Sequence, residues 1–183
     1  MLGSSKTKTK TNLNHIKYDI YDVPIGWIGV ISNNIGLTHC LIDPDINQLT
    51  IRMDALINIK DTPKLHSEFI KQSIQNYFSG DSSSLAQINI DIPETSPVFF
   101  KAIWNTCKTI PSGQTRSYAW LAETSGNKKA VRAAGQAMKN NKLPLFIPCH
   151  RVILSSGKLG NYTSGGTEMK RFLLNLESGG QYE

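Results

Sequence analysis

Cysteine is scarce in this chain of 183 residues, which has only Cys40, Cys107 and Cys149. An odd number of widely spaced cysteines argues against a disulfide framework and indicates a reducing compartment. Long apolar runs are also missing, so no segment reaches the length of a membrane span. The first residues lack the apolar segment of a secretory signal. We therefore expect a protein that is cytoplasmic (nucleoid-associated) or nuclear, neither secreted nor bound to a membrane.

Metal-ligand spacing is absent as well. His39 and Cys40 are adjacent on a predicted strand and point to opposite faces, while His15 and His66 lack a suitably spaced partner. We expect no metal site, and we interpret Cys40 and Cys107 as buried core thiols.

Acidic residues are scarce in the second half of the chain. Residues 97–183 carry 12 Lys and Arg against 4 Asp and Glu, whereas residues 17–96 carry 5 against 10. Three lysines near the N-terminus bring the net charge to +6. A basic half indicates a polyanionic partner such as nucleic acid, although a solvated basic face would have the same composition.

The first half predicts a disordered tail at residues 1–15, too polar to order itself, and then an α/β domain at residues 16–92. Short runs rich in Ile and Val predict an antiparallel meander of four strands, at Ile16–Val23, Trp27–Ser32, Leu37–Ile42 and Leu49–Met53. Thr62-Pro63 predicts the start of a helix with a stripe at Leu65, Phe69, Ser73, Ile74 and Tyr77. A last strand is predicted at Gln87–Ile92, before a proline-rich domain boundary.

The second half, residues 93–183, predicts a mostly helical domain. Its helices are expected at residues 98–109, 118–124, 128–139 and 167–177. Ser117 is expected to cap the second helix. A tight turn at residues 125–127 joins the second helix to the third, which makes this pair a candidate helix-turn-helix.

The third of these helices is thin, because alanines and Gly135 fill much of its surface. Its predicted apolar stripe consists of Val131, Ala134 and Met138. Its polar face carries Lys128, Arg132, Gln136 and Lys139. Such a helix can come close to a nucleic-acid backbone, whereas the alternative is an alanine-rich packing helix.

The segment from Ile147 to Val152 reads Ile-Pro-Cys-His-Arg-Val and is the most informative part of the chain. A nucleophilic thiol needs a base, and His150 follows Cys149 directly. Adjacent residues in an extended segment point apart, so we expect one water to bridge the two side chains. Glu177, at the end of the last predicted helix, is a candidate to hold the imidazole. The alternative is a structural cysteine beside a satisfied histidine.

The loop at residues 155–166 offers hydroxyls, backbone amides and one aromatic ring. Tyr162 and Ser164 suit a wall that stacks on a planar ligand and hydrogen-bonds to its edge. A Gly/Ser turn that joins a strand to a helix is the alternative.

These residues together resemble a known family. Ile147–Val152 resembles the active-site signature of the O6-alkylguanine-DNA alkyltransferases, the methylated-DNA–protein-cysteine methyltransferases. Further segments resemble family motifs in the same order, at Ile110–Gln114, Ser117–Tyr118, Ala130–Met138, Asn141, Gly160–Tyr162 and Ser164–Gly166. The detailed resemblance covers roughly residues 97–178. The first half resembles the family only in layout, for which a ribonuclease-H-like domain is implied.

The resemblance implies DNA repair by direct, single-turnover transfer of an alkyl group from guanine O6 to Cys149, without a cofactor. It implies that His150 deprotonates Cys149 through a water, that Glu177 holds His150, and that Asn141 bridges the helix-turn-helix to the active-site loop. The implied partner is double-stranded DNA containing O6-alkylguanine, and we expect a monomer.

The resemblance also assigns DNA contacts. Arg132 would fill the gap in the base stack, and Tyr118 would press on the neighbouring phosphate so that the nucleotide rotates outward. Further DNA contacts are expected from Ser117, Lys128 and Gln136. The expected base pocket comprises Tyr162, Ser164, Val152, Met138, Pro144 and Lys170, and Lys170 would orient Tyr118.

Thr163 departs from the family pattern, because many relatives place Ser-Gly-Gly directly after the tyrosine. Either Tyr162 or Ser164 could be displaced, or Thr163 could supply the hydroxyl. Three other functions remain open: a helix-turn-helix regulator without chemistry, a non-catalytic binder of alkyl lesions, and a cysteine hydrolase. The Pro-Cys-His-Arg run argues against the first, Cys149 against the second, and the adjacency of Cys149 and His150 against the third.

Overall fold

The computed structural model describes residues 15–182. The predicted tail therefore lies outside the described residues except for His15. The first part of the described chain contains β1 (Lys17–Val23), β2 (Gly26–Ser32), β3 (Leu37–Asp43), α1 (Ile46–Ile57) and α2 (Glu68–Phe78). The second part contains α3 (Val98–Lys108), β4 (Arg116–Ser117), α4 (Tyr118–Thr124), α5 (Val131–Lys139), β5 (Val152–Ile153) and α6 (Gly166–Ser178). Short 3-10 helices lie at Ser84–Gln87 and Cys149–Arg151. Within residues 15–182, no helix is both long and apolar enough to span a bilayer.

The three N-terminal strands form the predicted antiparallel meander, in the order β1-β2-β3. Both faces of this sheet are apolar, because neighbouring residues of a strand point to opposite sides. Ile28 and Val30 join the main core, whereas Ile31 packs in a smaller cluster with residues of α1. The sheet is thus covered on both faces, and the fold is a mixed α/β arrangement.

The predicted strand at Leu49–Met53 is wrong, since these residues lie in α1. Leu49, Ile51 and Met53 alternate with polar residues, which is the pattern of a strand. However, the Asp45 side chain caps a helix by accepting a hydrogen bond from the Asn47 backbone N–H at 2.8 Å. Leu49 and Met53 are then one turn apart and fully buried, while Ile51 is 62% exposed.

Two other N-terminal predictions need correction. Helix α2 begins at Glu68, capped by Ser67, because residues 63–65 instead pair with Tyr18 of β1. Phe69 is exposed and Ile70 takes its expected place in the core. The segment predicted as a strand at Gln87–Ile92 makes a single parallel bridge, between Ile90 and Leu37.

Helices α3, α4 and α5 pack against one another in the second part of the chain. The bounds predicted for α4 are confirmed, and Ser117 caps it through a bond to the Trp120 N–H. Helix α5 begins at Val131 rather than Lys128, because Asn127 accepts hydrogen bonds from the next residues and holds them in a turn. Val131 is 37% exposed, and Ala137 replaces it in the buried stripe.

One continuous core joins the two parts of the chain. It includes Ile28 and Ile74 from the first part and Ile103 and Leu173 from the second. A backbone hydrogen bond of 2.8 Å from Cys40 N to Lys142 O crosses between them. The two parts are therefore packed against each other through a shared core.

Candidate active site

Cys149 begins a single 3-10 turn and lies at the base of a cleft of about 560 Å³. Its side chain is nearly buried, with the residue 8% exposed. Asn141 donates hydrogen bonds from Nδ2 to the Cys149 Sγ at 3.0 Å and to the Ile147 carbonyl at 2.9 Å. The Oδ1 atom of Asn141 accepts from the Leu143 N–H at 2.9 Å, which fixes the orientation of the amide. Asn141 therefore ties the end of α5 to the segment that carries the thiol.

The thiol is protonated in this environment. Burial raises the pKa of Cys149, and the Asn141 hydrogen bond and the Lys170 charge offset part of this effect. The Tyr162 hydroxyl is buried next to the thiol. Because the resting thiol is neutral, a nucleophilic reaction at Cys149 requires removal of its proton.

His150 points into a buried charged cluster. Its Nε2 lies 2.8 Å from Glu177 Oε1. The Arg151 guanidinium forms a fork on the same carboxylate, with Nε 2.8 Å from Oε2 and Nη2 2.9 Å from Oε1. The side chains of His150 and Glu177 are 0% and 1% exposed. The His150 Nδ1 is buried and makes no hydrogen bond to the described residues.

The protonation states follow from this packing. Burial lowers the pKa of His150 despite the nearby carboxylate, so the imidazole is neutral at neutral pH. Burial alone would raise the pKa of Glu177, but the hydrogen bonds from His150 and Arg151 outweigh it and hold that pKa well below its usual range. A carboxylate only accepts hydrogen bonds, so Nε2 of His150 carries the proton and Nδ1 presents a lone pair.

The chain folds locally around this cluster. Strands β4 and β5 pair in parallel, which places Ser117 beside Ile153 and brings the start of α4 to the thiol. Arg151 Nη1 donates to the Ile110 carbonyl at 2.7 Å, and so holds the Ile110–Gln114 loop. In that loop Gly113 has a φ of +73°, and a Cβ there would lie 3.0 Å from the Glu177 carbonyl oxygen. Glycine therefore permits the close approach of this loop to the end of α6.

The cleft contains only some of the residues predicted for the base pocket. Tyr162 and Met138 line it, together with Tyr118 at the start of α4. Thr163 lines it, whereas Ser164 does not. The extra residue after Tyr162 thus places Thr163 at the wall. Pro144 and Val152 are buried behind the cleft and do not line it.

Lys170 is also behind the cleft, fully buried in α6. Its ammonium donates to the carbonyls of Val152 at 2.6 Å and Leu159 at 2.5 Å. Burial lowers the pKa of Lys170 to about 8. Neither of these hydrogen bonds reaches Tyr118, since both hold the backbone on either side of the loop at residues 155–158.

The predicted DNA contacts divide into two groups. Arg132 and Gln136 lie exposed on α5, and Lys128 lies exposed in the preceding turn. Ser117 and Tyr118 are half-buried, since Ser117 caps α4 and Tyr118 faces the cleft. Arg132 and Lys128 therefore lie outside the cleft, whereas Tyr118 lines the cleft together with Cys149.

Two members of the buried cluster had no role in the sequence prediction. Arg151 neutralises Glu177, and Tyr77 of α2 donates to Glu177 Oε1 at 2.8 Å. Arg151 could have been suspected because it follows His150 directly. Tyr77 could not, since 100 residues separate it from Glu177 and it reads as a core residue of its helix. Among residues 15–182, no group of three His, Cys, Asp or Glu side chains is arranged to hold a metal ion.

Known proteins resemble this chain along most of its length. A family model described as the DNA-binding domain of 6-O-methylguanine DNA methyltransferase matches residues 98–179. The constitutive methylated-DNA–protein-cysteine methyltransferase of Bacillus subtilis is 42% identical over 118 residues, 64% of this chain and 68% of the relative. The methylated-DNA–protein-cysteine methyltransferase of Methanosarcina acetivorans is 34% identical over 163 residues, 87% of this chain and 97% of the relative.

Solved structures agree with these relatives. The crystal structure of Mycobacterium tuberculosis OGT in complex with DNA superposes with a TM-score of 0.72 at 31% identity. The superposition covers 89% of this chain and 93% of that one.

Proposed function

This chain belongs to the family of methylated-DNA–protein-cysteine methyltransferases, and on that premise we propose that it repairs DNA directly. The reaction transfers an alkyl group from guanine O6 in DNA to Cys149. The observation that carries this proposal is the neutral thiol at the base of a cleft, held by Asn141 and followed by a buried His150–Glu177 pair. A cleft of about 560 Å³ is large enough for one flipped base.

The transfer needs one proton to move. The Cys149 sulfur attacks the alkyl carbon, the new S–C bond forms, and the bond between that carbon and guanine O6 breaks with its electron pair left on the base. The guanine anion then takes up one proton from solvent and becomes neutral guanine, which balances the proton that the thiol gives up. The thiol proton passes through a water to Nδ1 of His150, which is the ring nitrogen left free by Glu177. Glu177 then stabilises the imidazolium, and the Arg151 fork keeps that carboxylate ionised and in place. The product is a stable thioether, so each molecule acts once.

The base must leave the duplex before this step, because guanine O6 is stacked inside it. The exposed Arg132 on α5 would occupy the gap, and Tyr118 would push on the adjacent phosphate. Lys128, Gln136 and Ser117 would contact the backbone. The finer fold assignments belong to this proposal: α4 and α5 as a helix-turn-helix within a DNA-binding and alkyltransferase domain at residues 93–183, and a ribonuclease-H-like domain at residues 16–92.

The flipped base would meet Tyr162 and Met138 in the cleft. We assign to Thr163 the wall position expected of Ser164, because Thr163 lines the cleft. Pro144, Val152 and Lys170 would support the pocket from behind. Lys170 in particular would fix the backbone at Val152 and Leu159, on either side of the loop that carries the pocket wall.

A titration tests this function. A duplex with one O6-methylguanine is mixed with increasing amounts of protein, and restored guanine is measured by digestion and chromatography. Restoration should reach one guanine per protein molecule and then stop, with the protein acting as a monomer. Tight binding of the lesion without restoration would indicate a lesion-binding protein, and equal binding of damaged and undamaged duplexes without restoration would indicate a regulator.

A further inference from the structure

Tyr77 is the member of the buried cluster that comes from the first part of the chain. It lies in the last turn of α2, is 1% exposed, and packs edge-on against Phe78 at 5.2 Å between ring centroids. Its hydroxyl lies 2.8 Å from Glu177 Oε1. Burial and the Glu177 charge both raise the pKa of Tyr77, so the phenol is neutral and donates this hydrogen bond.

The oxygen that Tyr77 contacts is the one that holds His150. Glu177 Oε1 accepts from Tyr77 at 2.8 Å, from His150 Nε2 at 2.8 Å and from Arg151 Nη2 at 2.9 Å. Three donors that share one oxygen compete for its charge. The strength of the Tyr77 hydrogen bond therefore affects how strongly Glu177 stabilises a proton on His150.

The first part of the chain also supports the other side of the thiol. Cys40 N of β3 donates to the carbonyl of Lys142, the residue after Asn141, at 2.8 Å. Asn141 in turn donates to the Cys149 sulfur. Hydrogen bonds from the N-terminal sheet and helix thus reach both the segment of Asn141, which holds Cys149, and Glu177, which holds His150.

We propose that Tyr77 is a positioning residue for the Glu177–His150 pair, through which the N-terminal part of the chain sets the basicity of the group that deprotonates Cys149. The proposal rests on the function proposed above. Tyr77 does not touch the substrate or the reacting atoms. It donates to the carboxylate oxygen that also holds His150 and withdraws part of its charge from the imidazole.

The direction of the change in the His150 pKa follows from the sharing of Glu177 Oε1 by three donors. Removal of the Tyr77 hydroxyl leaves more carboxylate charge for His150, so a proton on His150 is held more tightly and its pKa rises. Because neutral His150 is the base, the acid side of the rate profile moves to higher pH. The other charged or titratable groups around His150 are Arg151 beside it, Glu177 and Lys170 on α6, and the neighbouring Cys149. Of these groups Tyr77 hydrogen-bonds only to Glu177, so the substitution acts on His150 through that carboxylate.

The experiment compares Tyr77→Phe with Tyr21→Phe. Tyr21 is a matched control, because it is 8% exposed, its hydroxyl lacks a partner among the described residues, and burial and a nearby carboxylate, Asp19, raise its pKa too. Single-turnover methyl transfer from an O6-methylguanine duplex is measured across pH. We expect the acid midpoint of Tyr77→Phe to rise by about 0.5–1 pH unit, and that of Tyr21→Phe to stay at the value of the parent.

A second variant reverses the sign. Replacement of Tyr77 by 3-fluorotyrosine makes the phenol a stronger donor, so the acid midpoint should fall below that of the parent. It also retains the ring and the hydrogen bond if Tyr77→Phe fails to fold. Opposite shifts for the two changes support the proposal, whereas equal midpoints for the parent and both Tyr77 variants overturn it and leave Tyr77 as a packing residue.

A DNA-independent readout separates this proposal from the function itself. The imidazole resonances of His150 are followed by NMR in the absence of DNA, and its titration should move up in Tyr77→Phe and down with 3-fluorotyrosine. If the parent transfers no methyl group, the proposed function fails while the NMR comparison still reports on Tyr77. If the parent is active and the His150 titration is the same in all three proteins, the role of Tyr77 is wrong.

Discussion

The two parts of the molecule bury polar side chains of different kinds. In the first part the buried polar residues are Ser32, Ser73 and Ser84, and each donates to a backbone carbonyl. In the second part they are His150, Arg151 and Lys170. A buried serine is satisfied by one local hydrogen bond, but a buried charge is costly unless it is paired. The second part therefore buries ionisable groups that a fold built for stability alone would avoid, and two of them directly follow the Cys149 thiol in the chain.

The largest effect should come from Cys149→Ala. This variant should lose all methyl transfer and keep its affinity for DNA, because the thiol is the acceptor and contributes little to the surface. The matched control is Cys107→Ala, a fully buried thiol of α3 that should lose stability and keep transfer. Restored guanine and binding to a labelled duplex are the two measurements. Loss of DNA affinity in Cys149→Ala would make Cys149 a structural residue.

Glu177→Gln tests whether the buried charges in the second part act together. It leaves the Arg151 charge without its partner, so we expect a loss of about 3–5 kcal/mol in the free energy of unfolding at neutral pH, and slower methyl transfer. Ser73→Ala, the matched change in the first part, should cost only about 1 kcal/mol and leave transfer unchanged. Urea unfolding measures both free energies. Similar losses in the two variants would contradict the claim that buried charges in the second part matter more for stability than buried serines in the first.

The same variant predicts a pH dependence. The pKa of Glu177 is lower in the folded protein than in the unfolded chain, so its contribution is present above the ordinary glutamate pKa of about 4.3 and is lost as pH falls below it. The stability gap between the parent and Glu177→Gln should therefore narrow on acidification. A gap that stays constant down to the acid transition would contradict the lowered pKa.

Met53→Ala probes the first part alone. Met53 is fully buried between α1 and the sheet, so its truncation should cost about 2–5 kcal/mol of stability. The folded variant should transfer methyl groups at the parent rate, because α1 lies on the side of the sheet away from the main core. Urea unfolding and single-turnover assays test this. Slower methyl transfer by the folded variant would show that the first part affects the chemistry through contacts other than those of Tyr77 and Cys40.

The smallest effect should come from Lys128→Ala. Lys128 is exposed in the turn before α5, where it would contact phosphate. Its loss should weaken binding to all duplexes alike and reduce the salt dependence by about one counterion. Lys60, exposed in the acidic first part, is the control and should change neither quantity. Binding isotherms at several salt concentrations give both values.

The sequence predicted the chemistry better than the architecture. The Cys149 segment needs only residue types at fixed spacing, and Glu177 could be proposed because the second part has few carboxylates. The segment Leu49–Met53 was predicted as a strand because apolar and polar residues alternate along it. The Asp45 cap and the burial of Leu49 and Met53, one helical turn apart, instead favour a helix. Tyr77 was beyond reach, because its role exists only where α2 and α6 meet. Local motifs could be recognised in one dimension, whereas contacts between distant segments required the fold.

The most direct test of the account is mass spectrometry of the protein after incubation with excess O6-methylguanine duplex. The intact protein should gain one methyl group and no more, and peptide fragmentation should place it on the Cys149 sulfur. Cys40 and Cys107 should remain unmodified. An unmodified Cys149 in the presence of excess lesion, or a methyl group on another residue, would contradict the assignment of Cys149 as the acceptor.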